Sequence, residues 1–285
     1  MTTTMDGMSD ERRAEDPAPR ARGSAIGGSD AGDDSTNGPG EPVLELDPPS
    51  VLRILLTIVV ALLVLSIAGQ ALVMYTPDFP LRDAFANLFL LDWEQNIPTL
   101  YATLMLLASS FLLGLIAHAR TGQTYARYWV ALSIVFSFLA LDEFASLHES
   151  AVDRVRAVFD ISGGPLFFAW VIPGAVLVTA FAIVYLPFVR ALPRPTRGRF
   201  LLAGLLFVGG AIGVEMLGST RFASRGTSKD MTYVLISTVE EGMEMVGIAV
   251  FVSALLTYIA AAVPHPGWRL RVVDRDTSTT KGNTA

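Results

Sequence analysis

Six long apolar runs divide the chain beyond residue 50. Each run is long enough to cross a hydrocarbon core about 30 Å thick, which takes ~20 helical residues. A spanning segment must satisfy its backbone hydrogen bonds internally, and none of the runs alternates as the strands of a membrane barrel do, so each run predicts a transmembrane helix. The six runs cover residues 51–75, 97–118, 128–148, 165–189, 200–217 and 231–262.

Shorter segments complete the predicted all-α fold, a polytopic membrane bundle of about six transmembrane helices. Residues 81–91 and 150–159 are mildly amphipathic and are expected to lie at the membrane interface. Residues 1–49 are rich in Gly, Ser, Asp, Pro and Thr, and they predict a disordered acidic tail because they cannot bury enough apolar surface. A transmembrane domain of residues 50–263 follows, and residues 264–285 predict a short, basic, mostly disordered tail.

Charge is distributed unevenly along the chain. The sequence has 27 Asp and Glu against 21 Lys and Arg, but its first fifty residues hold eleven of the acids and only four of the bases. The body is therefore nearly neutral, and its bases indicate its orientation. Ten bases flank the spans on the side of the two termini and six on the other side, so both termini are expected in the cytoplasm, with the body in the plasma membrane.

Composition excludes several kinds of site and partner. Without cysteine the chain has no disulfide, zinc–thiolate centre, iron–sulfur cluster or cysteine nucleophile. The basic residues form short clusters beside the spans, which membrane orientation already explains, so nucleic-acid binding is not expected. The expected surroundings are the lipid bilayer and, for an enzyme, a lipid-like substrate.

Half of the body's carboxyl groups lie in or beside the predicted spans. Because the chain alternates in direction, the starts of the second and sixth spans and the ends of the third and fifth meet on one side of the membrane. This is the outer side under the orientation above. The groups are Glu94, Asp142, Glu143, Glu149, Glu215, Glu240, Glu241 and Glu244. If the third, fifth and sixth helices are neighbours, these carboxyls gather in one pocket in the outer half of the bundle.

Helical spacing refines this arrangement. The three carboxyls of the sixth span fall within an arc of about 100°. On a continuous third helix, Asp142 and Glu149 share a face, whereas His148 points away from Glu143. Glycines near the end of the fifth span indicate a close-packing face rather than a ligand-binding loop. These glycines are Gly209, Gly210 and Gly213.

Positive charge is almost absent from the spans, where only Arg53 lies, at a cytoplasmic end. An unpaired ionised carboxylate is costly at membrane depth. The carboxyls can stay partly protonated, share hard cations, or recruit bases from the outer loops. Those bases are Arg154, Arg221, Arg225 and Lys229. The first arrangement suits proton coupling, the second a metal site and the third a structural network.

Ligand type limits the cofactor. Carboxylate oxygens with at most one imidazole suit a hard divalent metal, namely Fe, Mn, Ca or Mg. His118 and His265 are expected on the cytoplasmic side and His148 on the outer side, so the three histidines cannot share an ion or a haem. No span carries a lysine for retinal, and no nucleotide is expected.

The carboxyl groups and His148 have different predicted roles at this site. The predicted metal ligands are Asp142, Glu143, Glu215, Glu240, Glu241 and Glu244. His148 and Glu149 are the predicted catalytic residues, each as an outer ligand or general base. Glu94 and Asn96 are additional candidates, although the same residues fit an N-terminal helix cap.

Four phrases carry a resemblance to a known group of proteins. They are Glu94-Gln95-Asn96-Ile97-Pro98-Thr99, Leu141-Asp142-Glu143 with His148-Glu149, Val214-Glu215, and Glu240-Glu241-Gly242-Met243-Glu244-Met245. This combination resembles a family of uncharacterised multi-spanning prokaryotic membrane proteins, over residues 94–258. The resemblance implies the six-helix architecture and no particular activity.

Three functions therefore stand side by side. The first is a membrane-embedded, metal-dependent enzyme acting on a lipid-like substrate in the outer leaflet. The second is a proton- or cation-coupled transporter whose carboxyls titrate during the cycle. The third is a structural or assembly subunit whose acids form an ion-pair network with the outer arginines.

Overall fold

The computed structural model describes residues 45–262 and 271–272, and this part of the chain is almost entirely helical. Six of its helical segments are long and apolar enough to cross a membrane, which confirms the predicted all-α bundle. The predicted tails, residues 1–49 and 264–285, lie almost wholly outside the described residues. Two-residue strands, β1 (Glu45–Leu46) and β2 (Arg271–Val272), lie within the ranges predicted as tails and pair in parallel.

Nine α-helices follow one another along the described chain. They are α1 (Pro48–Tyr75), α2 (Arg82–Phe89), α3 (Ile97–Ala119), α4 (Ala126–Ala145), α5 (Leu147–Phe159), α6 (Val171–Ala191), α7 (Arg194–Val208), α8 (Glu215–Ser224) and α9 (Met231–Ala262). A π-helical segment, Gly209–Val214, joins α7 to α8 without a break, so the fifth span covers Arg194–Ser224. The amphipathic segments predicted at residues 81–91 and 150–159 correspond to α2 and α5.

Local chemistry explains where these helices begin and end. Asn96 caps α3 by accepting a hydrogen bond on Oδ1 from the backbone of Thr99, and Pro98 occupies the first turn, where its missing N–H costs nothing. The third predicted span ends earlier than residue 148, because Ser146 adopts a left-handed conformation with φ 51° and stops α4. The fourth span begins at Val171 rather than at residue 165.

The two best-buried spans, α3 and α9, form the centre of the bundle. Gly247 lets α7 lie directly on α9, since a Cβ atom at this position would come within 2.9 Å of the Ala203 carbonyl oxygen. Near the C-terminal end of α9, Trp129 packs against Phe188 and Tyr258 at ring-centroid distances of 4.9 Å. These contacts tie α4, α6, α7 and α9 into one core.

The bundle has an acidic end and a basic end. The acidic end is where α3 and α9 begin and α4 and α8 end. The basic end is where α3 and α9 finish together, because the Arg120 guanidinium donates a 2.8 Å hydrogen bond to the Ala262 carbonyl. The predicted convergence needs α9 to neighbour both other acid-bearing spans. It packs directly on α7 and α8 and meets α4 through the stacked rings of Phe136 and Phe251, 4.6 Å apart.

Candidate functional site

The junction between α4 and α5 folds His148 back onto Asp142. The backbone N–H of His148 donates to Asp142 Oδ1 and its ring nitrogen Nδ1 lies against Asp142 Oδ2, both at 2.9 Å. The expectation that Asp142 and Glu149 share one helical face is therefore wrong, since α4 and α5 are separate helices. Asp142 fixes the histidine ring and leaves Nε2 as its free nitrogen.

Glu94 enters the same region from the loop before α3. Its atom Oε2 is buried and has no hydrogen-bond partner among the described residues. The side chain of Ser146, at the α4–α5 junction, lies close enough to the Glu94 carboxylate to lower its pKa. Asn96 is fully used as a cap, because its side-chain amide also donates to the Trp93 carbonyl at 2.8 Å. Of these two additional candidates, only Glu94 reaches the site.

Three side chains come within reach of a single ion. Glu94, His148 and Glu149 each offer a ligand atom, and these atoms all lie within 4.8 Å of one another. That limit is twice a typical metal–oxygen distance of about 2.4 Å, so a hard cation could bridge any two of these atoms, and a slight approach of the side chains would let it contact all three. The group combines two carboxylates with one imidazole, and its histidine is oriented by Asp142, as histidine ligands of metals commonly are. We call it the Glu94–His148–Glu149 centre.

Electrostatics around this centre favour a bound cation. Burial lowers the pKa of His148, but the hydrogen bond and charge of Asp142, with the charges of Glu149 and Glu244, raise it overall to about 9. Burial, and then repulsion from Glu149, raises the pKa of Glu94. Loss of solvation also raises the pKa of Glu149. Charges of neighbouring carboxylates contribute to all three shifts, and a bound cation would offset that negative charge.

A second group of carboxyls lies deeper, on α4, α8 and α9. Glu215 Oε1 accepts a 2.9 Å hydrogen bond from the indole N–H of Trp170, and Glu240 is hydrogen-bonded to Glu215. Glu244 interacts electrostatically with Glu143 and with His148. The remaining member, Glu241, interacts with Glu244, Glu143 and Glu94. These interactions link the deep group to the Glu94–His148–Glu149 centre, and we call the two together the carboxyl cluster.

The loop bases are engaged elsewhere. Arg221 pairs with Asp230, and Lys229 pairs with Asp92, which also accepts a 2.6 Å hydrogen bond from the Tyr233 hydroxyl. Arg225 lies 3.7 Å from Asp230, and Arg154 is exposed. In the described part of the chain, no carboxyl of the cluster forms an ion pair with lysine or arginine. These ion pairs therefore give no support to the predicted network between the outer arginines and the carboxyls of the cluster.

The π-helical segment shapes the deep side of the cluster. A Cβ atom at Gly210 would lie 2.8 Å from the Glu240 carbonyl oxygen and 3.0 Å from Glu244 Cγ. At Gly213 the same atom would meet nothing within 4 Å. The close-packing role expected of the glycines therefore holds for Gly210 and fails for Gly213. π-helical turns inside α-helices are frequent at functional sites.

Trp170 is the functional neighbour that the sequence did not single out. Its ring lies 4.8 Å from the His148 ring, and its N–H binds Glu215, so it touches both the Glu94–His148–Glu149 centre and the deep group. Gly174 makes room for it, since a Cβ atom there would lie 2.9 Å from the indole. The sequence feature that could have indicated this contact is the spacing of Trp170 and Gly174, which are one helical turn apart.

Comparison with known proteins gives a family and no activity. The model of a family described as Domain of unknown function (DUF8692) matches residues 54–259, which include nearly all six spans and every carboxyl of the cluster. No curated protein and no solved structure matches the chain. The resemblance of its four phrases to prokaryotic membrane proteins remains a prediction. Because the match covers most of its length, the chain belongs to the DUF8692 family.

Proposed function

We propose that this protein is a membrane-embedded enzyme that binds a hard divalent metal at its acidic end and acts there on a lipid-like substrate. The observation that carries the proposal is the Glu94–His148–Glu149 centre, whose ligand atoms lie within 4.8 Å of one another. One imidazole beside carboxylates favours Mn²⁺ or Fe²⁺ over Mg²⁺ and Ca²⁺. When bound, the metal would supply an activated water or polarise an ester or phosphoryl oxygen.

The chain's own groups suit that chemistry. Asp142 holds the histidine ring through Nδ1, so that Nε2 can face the ion. Glu143 interacts electrostatically with Glu94, His148 and Glu149 and is our candidate for a general base. We infer that the deep carboxyls keep the ion's surroundings negative and hold protons among themselves.

Depth favours an enzyme at the membrane surface. Helices α3 and α9 end at the same level, and Glu244 precedes the end of α9 by eighteen residues, or about 27 Å at 1.5 Å per residue. The cluster therefore lies near one edge of a hydrocarbon core about 30 Å thick. Under the orientation inferred from the basic residues, this is the outer edge, where lipid head groups and water meet.

The interior beneath the cluster also argues against ion passage. From Met245 to Ala262, α9 contains no Asp, Glu, Lys, Arg or His. The facing core is built from apolar side chains such as Leu106, Leu113 and Phe251. Buried hydroxyl groups such as those of Ser109, Ser110 and Ser253 also lie in this core, but α9 supplies no ionisable side chain there, so the region offers a cation no charged ligand on the way to the basic end.

Metal binding tests the proposal. The purified full-length protein is dialysed against Mn²⁺ and its metal content is measured, with Glu94→Gln and Glu149→Gln as variants and Asp153→Asn as the matched control on the exposed side of α5. We expect about one Mn²⁺ per chain for the wild type and the control, and at least tenfold weaker binding for the other two, since ligands and their supports typically contribute ~10–100-fold each. Absence of stoichiometric metal, or unchanged affinity in Glu94→Gln, would refute the centre.

Activity is then sought in vesicles of bacterial polar lipids by mass spectrometry. We expect a lipid species to be converted only in the presence of Mn²⁺, and Glu143→Gln to retain the metal while losing conversion. Conversion at the wild-type rate in Glu143→Gln would remove that residue from the chemistry.

A cation-coupled transporter is the second candidate, because the π-helical segment alters the geometry of a span directly beside Glu240 and Glu244. π-helical turns of this kind are frequent at functional sites. A proteoliposome flux assay with Glu240→Gln separates this candidate from the enzyme. Metal-dependent flux in the wild type that disappears in the variant would favour transport.

A further inference from the structure

Glu94 is the one member of the Glu94–His148–Glu149 centre that does not lie on a helix. His148 and Glu149 belong to the first turn of α5, whereas Glu94 lies in the loop between α2 and α3. Its two neighbours, Trp93 and Gln95, are exposed, and Gln95 has a left-handed conformation with φ 61°. Because side chains on loops are held less precisely than those on helices, the position of Glu94 depends on the anchors of this loop.

Hydrogen bonds hold the two ends of this loop. At its start, the backbone N–H of Leu91 donates to Ser66 Oγ on α1 at 3.0 Å. At its end, the side-chain amide of Asn96 donates to the carbonyl oxygens of Leu90 and Trp93. The first contact lies three residues before the metal ligand, and the second closes the turn within the loop itself. Neither joins the segment around the ligand to α9, which carries three of the deep carboxyls.

Asp92 makes that connection to α9. Its atom Oδ1 accepts a 2.6 Å hydrogen bond from the hydroxyl of Tyr233, in the first turn of α9, and its atom Oδ2 pairs with the ammonium group of Lys229 just before the helix. Tyr233 is itself fixed, because it is only 5% exposed and its ring packs against that of Phe222 at 5.4 Å. Hydrogen bonds with an ionised partner are roughly twice as strong as neutral ones, so Asp92 is a strong anchor on a well-held partner.

Close packing alone does not fix this part of the loop. A small cavity of about 10 Å³, with room for about one water molecule, lies where the loop meets α1 and α9. Asp92 and Trp93 line it together with residues that include Gln70 of α1 and Ser237 of α9. The two polar contacts of the Asp92 carboxylate therefore set its position beside an incompletely filled space.

We propose that Asp92 is a positioning residue of the metal centre, which holds the loop so that the Glu94 carboxylate faces the ligands on α5. We call Asp92, Tyr233 and Lys229 the loop clamp. Two residues of chain span at most about 7 Å, so a shift of Asp92 is passed on to Glu94. The clamp presents Glu94 Oε2, which is buried without a hydrogen-bond partner among the described residues, to the ion. Its role in metal binding rests on the proposed function, whereas its role in holding the loop does not.

Loop mobility tests the clamp in the metal-free protein. Because the chain lacks cysteine, a nitroxide label can be attached at Gln95→Cys in the full-length protein, and its EPR spectrum reports how freely the loop moves. Tyr233→Phe removes one contact of the clamp without changing any charge, and Asp92→Ala removes both. Tyr185→Phe is the matched control, since it loses a hydrogen bond to the Tyr128 carbonyl at the basic end. We expect the rotational correlation time of the label to shorten in Tyr233→Phe, to shorten further in Asp92→Ala and to stay unchanged in the control. An unchanged spectrum in Asp92→Ala would overturn the clamp, whatever the protein does with metals.

Metal affinity then shows whether the clamp acts through Glu94. We expect Tyr233→Phe to bind Mn²⁺ about tenfold more weakly than the wild type and the control, the lower end of the ~10–100-fold that outer partners of metal ligands typically contribute. In the Glu94→Gln background the same substitution should cause no further loss of affinity, because the ligand that the clamp positions is already gone. An equal further loss in that background would show a general effect on the fold and overturn the positioning role, and so would unchanged affinity in Asp92→Ala. If the wild type binds no metal, the proposed function fails, and the nitroxide label still decides whether the clamp holds the loop.

Discussion

Gly210→Ala tests the contact between the π-helical segment and the carboxyls of α9. The added methyl group would lie 2.8 Å from the Glu240 carbonyl oxygen, which is backbone and cannot rotate away, and 3.0 Å from Glu244 Cγ. Overpacking of this kind typically costs ~1–3 kcal/mol. Gly213→Ala, one turn further on, adds the same methyl group where nothing lies within 4 Å, and it removes the helix penalty of glycine, up to ~1 kcal/mol.

The free energy of unfolding in bicelles therefore separates the two variants. We expect Gly210→Ala to be less stable than Gly213→Ala by ~1–3 kcal/mol, the overpacking cost, because the helix gain of alanine over glycine applies at both positions and cancels. We also expect Gly210→Ala to retain the Glu94–His148–Glu149 centre, because the displaced group lies on α9. If both variants lose or gain stability equally, the glycines serve backbone flexibility and not a close approach of two helices.

Two further predictions concern the charges around the cluster. In the metal-free protein, Asp142→Asn removes the main interaction that raises the pKa of His148, so that pKa falls from about 9 toward 6.5. Protonation of His148 stabilises the wild-type fold fully below pH 6.5 and progressively less as the pH rises through 9. This pH dependence of the free energy of unfolding should be absent from Asp142→Asn, and NMR titration of His148 measures the pKa in both proteins. Double-mutant cycles should give additive losses for Arg221→Ala with Glu215→Ala and non-additive losses for Arg221→Ala with Asp230→Asn, because Arg221 pairs with Asp230. Coupling between Arg221 and Glu215 would instead support an arginine network.

The spans could be predicted from sequence because hydrocarbon imposes one strong requirement on every residue of a spanning helix. Apolar length alone located all six. Their ends were less predictable. At Ser146 a single left-handed residue stops α4 inside the segment predicted as one span, and serine carries no sequence preference strong enough to forecast that conformation.

The candidate site was likewise predictable only in part. Alternating chain direction was enough to bring the carboxyls to one end of the bundle. It could not show that Glu94 and Glu149 approach His148, since that contact depends on the turn at Ser146 and on the loop before α3. The assignment of Glu94 to capping also missed that Asn96 performs this role alone. Side-chain pairing of Arg221 and Lys229 with loop aspartates depends on tertiary contacts that spacing does not encode.

The central claim is that His148 binds a metal ion together with Glu94 and Glu149. Pulsed EPR of the Mn²⁺-loaded protein measures it directly, because a coordinated imidazole gives a nitrogen coupling to the ion. The chain has three histidines, so His118→Gln at the basic end serves as the matched control. We predict one nitrogen coupling that persists in His118→Gln and disappears in His148→Gln. A spectrum of Mn²⁺ bound without nitrogen, or a coupling that survives in His148→Gln, would contradict the claim.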